Sequence, residues 1–298
     1  MKKLSFVLIL LALSQGIHSQ IIEKVIDSAR IEKLDEVLVK AIRVEASSPI
    51  THSNVSKAEL ATRNLGQDLP ILLNYLPSVV TTSDAGAGIG YTGIRVRGVS
   101  AQSTNITING IPYNDAESLG TFWVDLPDFA SSVESLQLQR GVGTSTNGSG
   151  AFGASINILT DAISKDSQAE ISNTFGSYNT LKHNLKFSTG LLGSNIEISG
   201  RLSQIKSDGY IDRAASDLKS YFLQGAYTDD NTLIKMLVFG GHEITYQAWN
   251  GIDAETLKNN RTFNPSGTYT DDDGTINFHE NEVDNYKQDH YQLHWNQK

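Results

Sequence analysis

Residues 91–113 read YTGIRVRGVSAQSTNITINGIPY, and the fold class turns on their pattern. Ile94 and Val96 alternate with Arg95 and Arg97, the period-two signature of a half-buried strand. Ile106 and Ile108 alternate with Asn105, Thr107 and Asn109 in the same way. Asn109-Gly110 then supplies a dipeptide that tolerates positive φ at both central positions of a tight hairpin. Two short strands, arginines on the first and a tight turn after the second, set the frame for the flanking sequence.

On the N-terminal side, residues 56–64 predict a short helix, with Ser56 as N-cap and Glu59 placed to close a capping box. Residues 67–76, QDLPILLNYL, predict a second. Pro70 is tolerated in its first turn, Leu69, Leu72, Leu73 and Leu76 fall on one stripe, and Pro77 stops it. A short strand at residues 79–82 leads into a glycine-rich loop, residues 84–93. On the C-terminal side, Phe122 and Trp123 read as packing residues ahead of Leu126-Pro127. Residues 133–140, VESLQLQR, alternate as a strand, a glycine- and serine-rich loop covers 141–153, and residues 154–160 form a strand with Ile156 and Ile158 on one face.

The pattern G-x-G-x-x-G occurs twice, at Gly88, Gly90, Gly93 and at Gly148, Gly150, Gly153. A dinucleotide site needs a helix N-terminus after that run, because the helix amides hold the pyrophosphate. Strand patterns, IRVR and ASINIL, follow instead, so both runs read as loops that pack closely or move.

Beyond residue 168 the sequence becomes segments of alternating polarity split by turns. Ala169, Ile171 and Phe175 share a face, as do Leu181, Leu185 and Phe187, then Ile196, Ile198 and Leu202, and finally Tyr291, Leu293 and Trp295. Lys182, Asn184, Lys186 and Arg201 fall on the opposite, polar side. Strands of this length, apolar on one face and polar on the other, suit a transmembrane barrel, and equally a soluble sheet with one wet face. Residues 246–285 form a long polar loop. Asp271, Asp273, Gly274 and Glu280 there match part of a calcium-loop spacing, but Tyr269 occupies the first ligand place, so a solvated acidic loop is expected. His290 and His294 share a strand face that the pattern directs toward water, with no third ligand nearby.

Composition narrows the function. The 298 residues carry a net charge of −9 and no cysteine. That balance argues against a nucleic-acid partner, and the missing thiols exclude disulfides, thiolate metal sites and a cysteine nucleophile. Lys2 and Lys3 followed by an apolar run at residues 4–13 and small residues at 16–19 predict a signal peptide over 1–19. No later window is apolar for 18 residues, so entry into a membrane requires a barrel. The G-x-S-x-G, H-E-x-x-H and Walker patterns are missing, which argues against an enzyme.

Four stretches in order, DLPILLNYLPSV, GIRVRG, ITINGIPY and VESLQLQRGVGTSTNGSGAFGASINILT, resemble the plug domain of TonB-dependent outer-membrane receptors. One departure is Val142, where that family usually has a proline soon after the Arg140-Gly141 pair. The resemblance implies an α+β plug domain over 46–162, preceded by a periplasmic segment over 20–45. The antiparallel strands of an incomplete transmembrane β-barrel would follow over 163–298. The complete family barrel has about 22 strands, and roughly six are expected here, so the chain reads as the N-terminal part of a receptor. Its last residues, Asn296-Gln297-Lys298, differ from the terminal aromatic usual in such barrels.

The resemblance also implies a function. Asp35, Glu36, Val37, Leu38 and Val39 match a TonB box, which pairs as an added strand with the periplasmic partner TonB. Arg95, Arg97 and Arg140 look like the plug arginines that pair with lumen-facing carboxylates. Expected are plug-gated uptake of a scarce ligand such as a ferric siderophore across the outer membrane of a Gram-negative bacterium, outer-membrane lipid as a further partner, and no cofactor. Haem, cobalamin and glycan importers of the same family are alternatives, as is a plug-like binding module that does not transport.

Overall fold

The computed structural model describes residues 43–45, 47–143 and 150–297. The signal peptide, the TonB-box residues 35–39 and Gly148 lie outside the described residues.

Capping starts the chain's first helix. Strand β1 (His52–Ser56) runs into α1 (Lys57–Arg63), and Ser56 and Glu59 form the reciprocal capping box that their spacing predicts. The leucine stripe that follows is buried, with Leu72 2% and Leu73 0% exposed. Its backbone departs from expectation: α2 covers only Leu69–Leu72, and Leu73, Asn74 and Leu76 continue through amides bonded three residues back. Pro70 at the helix start and Pro77 just beyond leave too few residues for a sustained α-helix.

Strands β2 (Val79–Ser83) and β3 (Thr92–Val96) pair antiparallel around the glycine loop. Ile94 and Val96 face the core and Arg95 faces out, as the alternation requires. Arg97 has already left the strand at φ 54°, next to Gly98 at φ 74°. Asn109 and Gly110 both take positive φ, 52° and 80°, and turn β4 (Thr104–Ile108) into β5 (Ile111–Pro112). With β6 (Val133–Arg140) and β7 (Ala154–Thr160), these form a five-stranded sheet in the order β1-β6-β7-β4-β5, in which β4 and β7 run parallel. Its core holds Ile106, Ile108, Leu136, Leu138, Ile156 and Ile158 against Leu60 and the leucine stripe.

Six long strands then pair in chain order into an open antiparallel sheet: β8 (Gln168–Gly176), β9 (Thr180–Ser188), β10 (Ile196–Ser207), β11 (Ser216–Thr228), β12 (Thr232–Tyr246) and β15 (Val283–Gln297). The connection between the last two holds helix α3 (Ala254–Asn259) and the small hairpin β13 (Thr268–Thr270) and β14 (Ile276–Phe278). The acidic stretch predicted as a solvated loop is the turn of that hairpin, with Gly274 at φ 85°.

The polarity of this sheet is inverted relative to a soluble one. Lys182, Asn184, Arg201, Ser203 and Ser220 are buried against the N-terminal domain, and Gln224 is buried on the same face. Ile171, Phe175, Leu202, Met236, Tyr291, Leu293 and Trp295 are exposed on the other face, from 56% to 75%. A sheet in water hides its apolar face; this one hides most of its polar side chains, together with Phe222, Leu237 and Phe239, which join the main core, and leaves a largely apolar face outside.

Candidate functional site at the seam between plug and strands

A sharp backbone turn supplies the central residue of the seam. Pro127 ends the TFWVDLP segment and Asp128 adopts the left-handed conformation, φ 53° and ψ 26°, a strain that Asp tolerates better than most residues. The turn carries the Asp128 carboxylate out of the N-terminal domain onto the polar face of β9 and β10. Lys182 Nζ lies 2.6 Å from one carboxylate oxygen and Arg201 Nη1 3.6 Å from the other. Ser131 donates to it at 2.6 Å, Asn184 at 2.6 Å, Ser203 at 2.7 Å and Asn64 at 3.1 Å. Arg201 donates in turn to Ser132 at 2.8 Å and Ser220 at 2.9 Å, and Ser220 donates to the Pro127 carbonyl at 2.6 Å. Burial pushes the Asp128 carboxyl upward, but Arg201 and Lys182 outweigh it and hold the group at about 2. A buried carboxylate with two cations and a full set of donors is the arrangement in which a charge can be sequestered from water.

A second ionic group lies alongside. Asp161, just past β7, accepts from Lys186 of β9 at 2.6 Å and from Lys57 of α1 at 2.7 Å, and Lys57 also reaches Glu134 at 3.0 Å. Each cluster thus joins a carboxylate of the N-terminal domain to at least one cation of the strands.

The predicted arginines sit elsewhere. Arg140 donates to the Pro77 carbonyl and to Ser53, both at 2.9 Å and both within the N-terminal domain. Arg95 and Arg97 are exposed, and among the described residues no ion pair includes any of the three. Asp128 and Asp161 were invisible to sequence reasoning, because nothing local marks a carboxylate that meets a strand cation 25 or more positions away. Lys182, Lys186 and Arg201 carried half a signal: they lie on the polar face of strands whose other face is apolar.

At the opposite side of the seam a cavity of about 360 Å³ opens between the domains, lined by Tyr91, Tyr113, Phe122, Asp125, Asp284 and Tyr286 among others. Tyr91 donates to Asp284 at 2.5 Å and Tyr113 to Gln288 at 3.3 Å. Burial first, then Glu243 and Asp284, push the Asp125 carboxyl up to about 7. The strand backbone touches the N-terminal domain here: a Cβ on Gly241 of β12 would overlap the Asp125 carbonyl oxygen. His290, expected to face water, instead stacks on Phe239 at 4.9 Å and lies 5.0 Å from Tyr113, because the N-terminal domain fills the space the polar face would otherwise open to solvent.

Comparison with known proteins places this arrangement. Residues 44–155 match the family described as the TonB-dependent Receptor Plug Domain. The vitamin B12 transporter BtuB of Vibrio vulnificus is 32% identical over 180 residues, covering 59% of this chain and 28% of its own. The probable TonB-dependent siderophore receptor PirA of Acinetobacter baumannii is 24% identical over 149 residues, 47% of this chain and 20% of its own. Among solved structures, P. aeruginosa FpvA bound to heterologous pyoverdines superposes with a TM-score of 0.62 at 13% identity, covering 84% of this chain and 31% of that one. The A. baumannii PirA structure gives a TM-score of 0.52 at 19% identity over 66% of this chain and 32% of that one. The chain therefore spans 20% to 28% of the length of these two curated relatives.

Proposed function

This chain is a member of the TonB-dependent receptor family, its plug domain matched over residues 44–155, and from that premise we propose that it acts in plug-gated, TonB-driven uptake across an outer membrane. The inverted sheet carries the reading. Six strands present their polar face to a folded domain and their apolar face outward, the polarity of a wall between lipid and a filled lumen. The signal-peptide pattern fits export past the inner membrane.

In this reading the Asp128 and Asp161 clusters seat the plug, and the cavity around Tyr91, Tyr113 and Asp284 offers ligand contacts between plug and wall. Residues 35–39 form the TonB box, an extended segment that pairs edge to edge with TonB through backbone hydrogen bonds. Arg95, Arg97 and Arg140 are proposed to meet lumen carboxylates when pulling shifts the plug. The transported ligand is a scarce chelate of the ferric siderophore kind. Transport of a cobalamin is the second reading, favoured by the 32% identity to a vitamin B12 transporter.

Deleting residues 35–39 from the outer-membrane polypeptide is the direct test. Uptake of a radiolabelled ferric siderophore or cobalamin is expected to stop while cell-surface binding of the same ligand persists. Unchanged uptake defeats the assignment, and whichever ligand is taken up decides between the two readings.

A further inference from the structure

The seam between plug and wall pairs opposite charges on one side and gathers like charges on the other. Around Asp128 and Asp161 every carboxylate meets cations. In the cavity of about 360 Å³ on the far side, Asp115, Glu117 and Asp125 of the plug and Asp284 of β15 supply four carboxyl groups, and no lysine, arginine or histidine lines it. Among the described residues no ion pair includes any of the four. Tyr91, Tyr113, Phe122 and Tyr286 give the same cavity its aromatic walls.

A buried group beside the cavity makes the same demand. Glu243 of β12 lies two residues from Gly241 on the inward face and directly opposite Tyr286 in the β12–β15 register. Its side chain is sealed from solvent, and neither carboxylate oxygen has a hydrogen-bond partner. The Thr245 hydroxyl, next along that face, lacks one too. A buried carboxylate without donors leaves its desolvation uncompensated, so such groups are scarce unless something else answers the charge. Asp125 feels the charges of both Glu243 and Asp284 across the seam. A bound cation relieves that mutual repulsion.

Position gives the cavity access from outside. Asp284 and Tyr286 stand just beyond the long connection of residues 247–282, and long loops mark the outer side of such barrels. The walls then select the kind of cation. A bare metal ion needs several ligands converging on one point, and among the described residues no three histidine or carboxylate side chains do so. Aromatic faces attract an organic cation, most strongly where water is excluded. An anionic group would meet like charge on several sides.

We propose that this cavity holds a positively charged organic group of the imported ligand, a protonated or quaternary amine. Asp125, Glu243 and Asp284 supply the counter-charge, and Tyr91, Tyr113 and Tyr286 supply the aromatic faces. The proposal rests on the reading of this cavity as a ligand contact between plug and wall, and it narrows that ligand to chelates or cofactors with a cationic arm.

The test uses the outer-membrane polypeptide containing this chain, purified in a maltoside detergent. Binding of choline is compared, by saturation-transfer NMR titration, with binding of 3,3-dimethylbutan-1-ol, whose uncharged tert-butyl group has the shape of trimethylammonium. Wild type is expected to bind choline roughly tenfold more tightly. D125N/D284N should remove that preference, Y286L should weaken it, and D272N in the turn between β13 and β14 should keep it. Equal binding of the two probes by wild type, or binding of neither, overturns the proposal even if the double variant fails to assemble. An undiminished preference in Y286L or in an assembled D125N/D284N overturns it as well. Siderophore or cobalamin uptake that depends on residues 35–39 but comes without a choline preference overturns only the cation site. A choline preference in a polypeptide that alkaline extraction strips from membranes keeps the site and overturns the membrane reading.

Discussion

Asp128 of the plug lies 2.6 Å from Lys182 of β9, and their side chains are 0% and 4% exposed. Two opposite charges sealed from water in separate domains form a lock: neither can leave alone without stranding the other in a poorly solvating environment.

Removing one partner is therefore expected to cost more than removing all. D128N leaves Lys182 and Arg201 buried without compensation and should lower stability by about 3–5 kcal/mol. The triple substitution D128L/K182M/R201M replaces the charges with apolar volume and should recover most of that loss. Urea unfolding followed by tryptophan fluorescence separates the two; equal destabilisation by both would show that the charges contribute nothing beyond their volume.

Two plug carboxyls carry opposite pH dependences. Asp128 sits at about 2, below the ordinary value of 3.8, so its contribution is complete above that ordinary value and fades as pH falls toward 2. Asp125 is raised to about 7, so its neutral form is the better accommodated one; the seam is most stable below the ordinary carboxyl range and loses stability as pH rises through 7. Melting temperature should fall between pH 5 and 8 by more in wild type than in D125N, which no longer titrates there. Parallel pH profiles would remove Asp125 as the cause.

Gly241 marks where β12 and the plug touch backbone to backbone. G241A forces a Cβ against the Asp125 carbonyl and is expected to cost about 1–3 kcal/mol, the usual range for overpacking. The plug should then be cut faster by limited proteolysis. An unchanged cleavage rate with normal assembly would mean that the contact is slack.

Charge on the outward face tests the wall directly. M236R places an arginine on the apolar band, and a cost of about 2–4 kcal/mol is expected if that residue lies near mid-bilayer. The lumen-side Q224R should be tolerated differently, because that position faces polar neighbours. Heat-modifiable migration on gels reports assembly of each variant. Normal assembly of M236R would argue that this face meets water.

Helix α1 offers a local control. S56A deletes the capping-box hydroxyl and should cost about 1 kcal/mol without touching the seam. A larger loss, or a change in ligand binding, would mean that α1 positions more than itself through Lys57 and Asp161.

Local chemistry was enough to write much of this fold into the residues. The capping box at Ser56 and Glu59, the positive-φ turn at Asn109-Gly110, and the period-two alternation read in four of the six long strands all follow from interactions within a few positions, and each is present in the fold. The alternation could not say which face would be hidden, since a soluble sheet and a lipid-facing one share the same period. Packing decided it: the plug covers Lys182, Asn184 and Arg201 and leaves Leu202 and Met236 outside. Nor could the sequence reveal the lock, because Asp128 and Lys182 lie far apart along the chain and meet only when a left-handed turn after Pro127 aims one carboxylate at the wall. Short-range hydrogen bonding and side-chain period are properties of a segment; burial and charge pairing belong to the folded whole, where distance along the chain no longer counts.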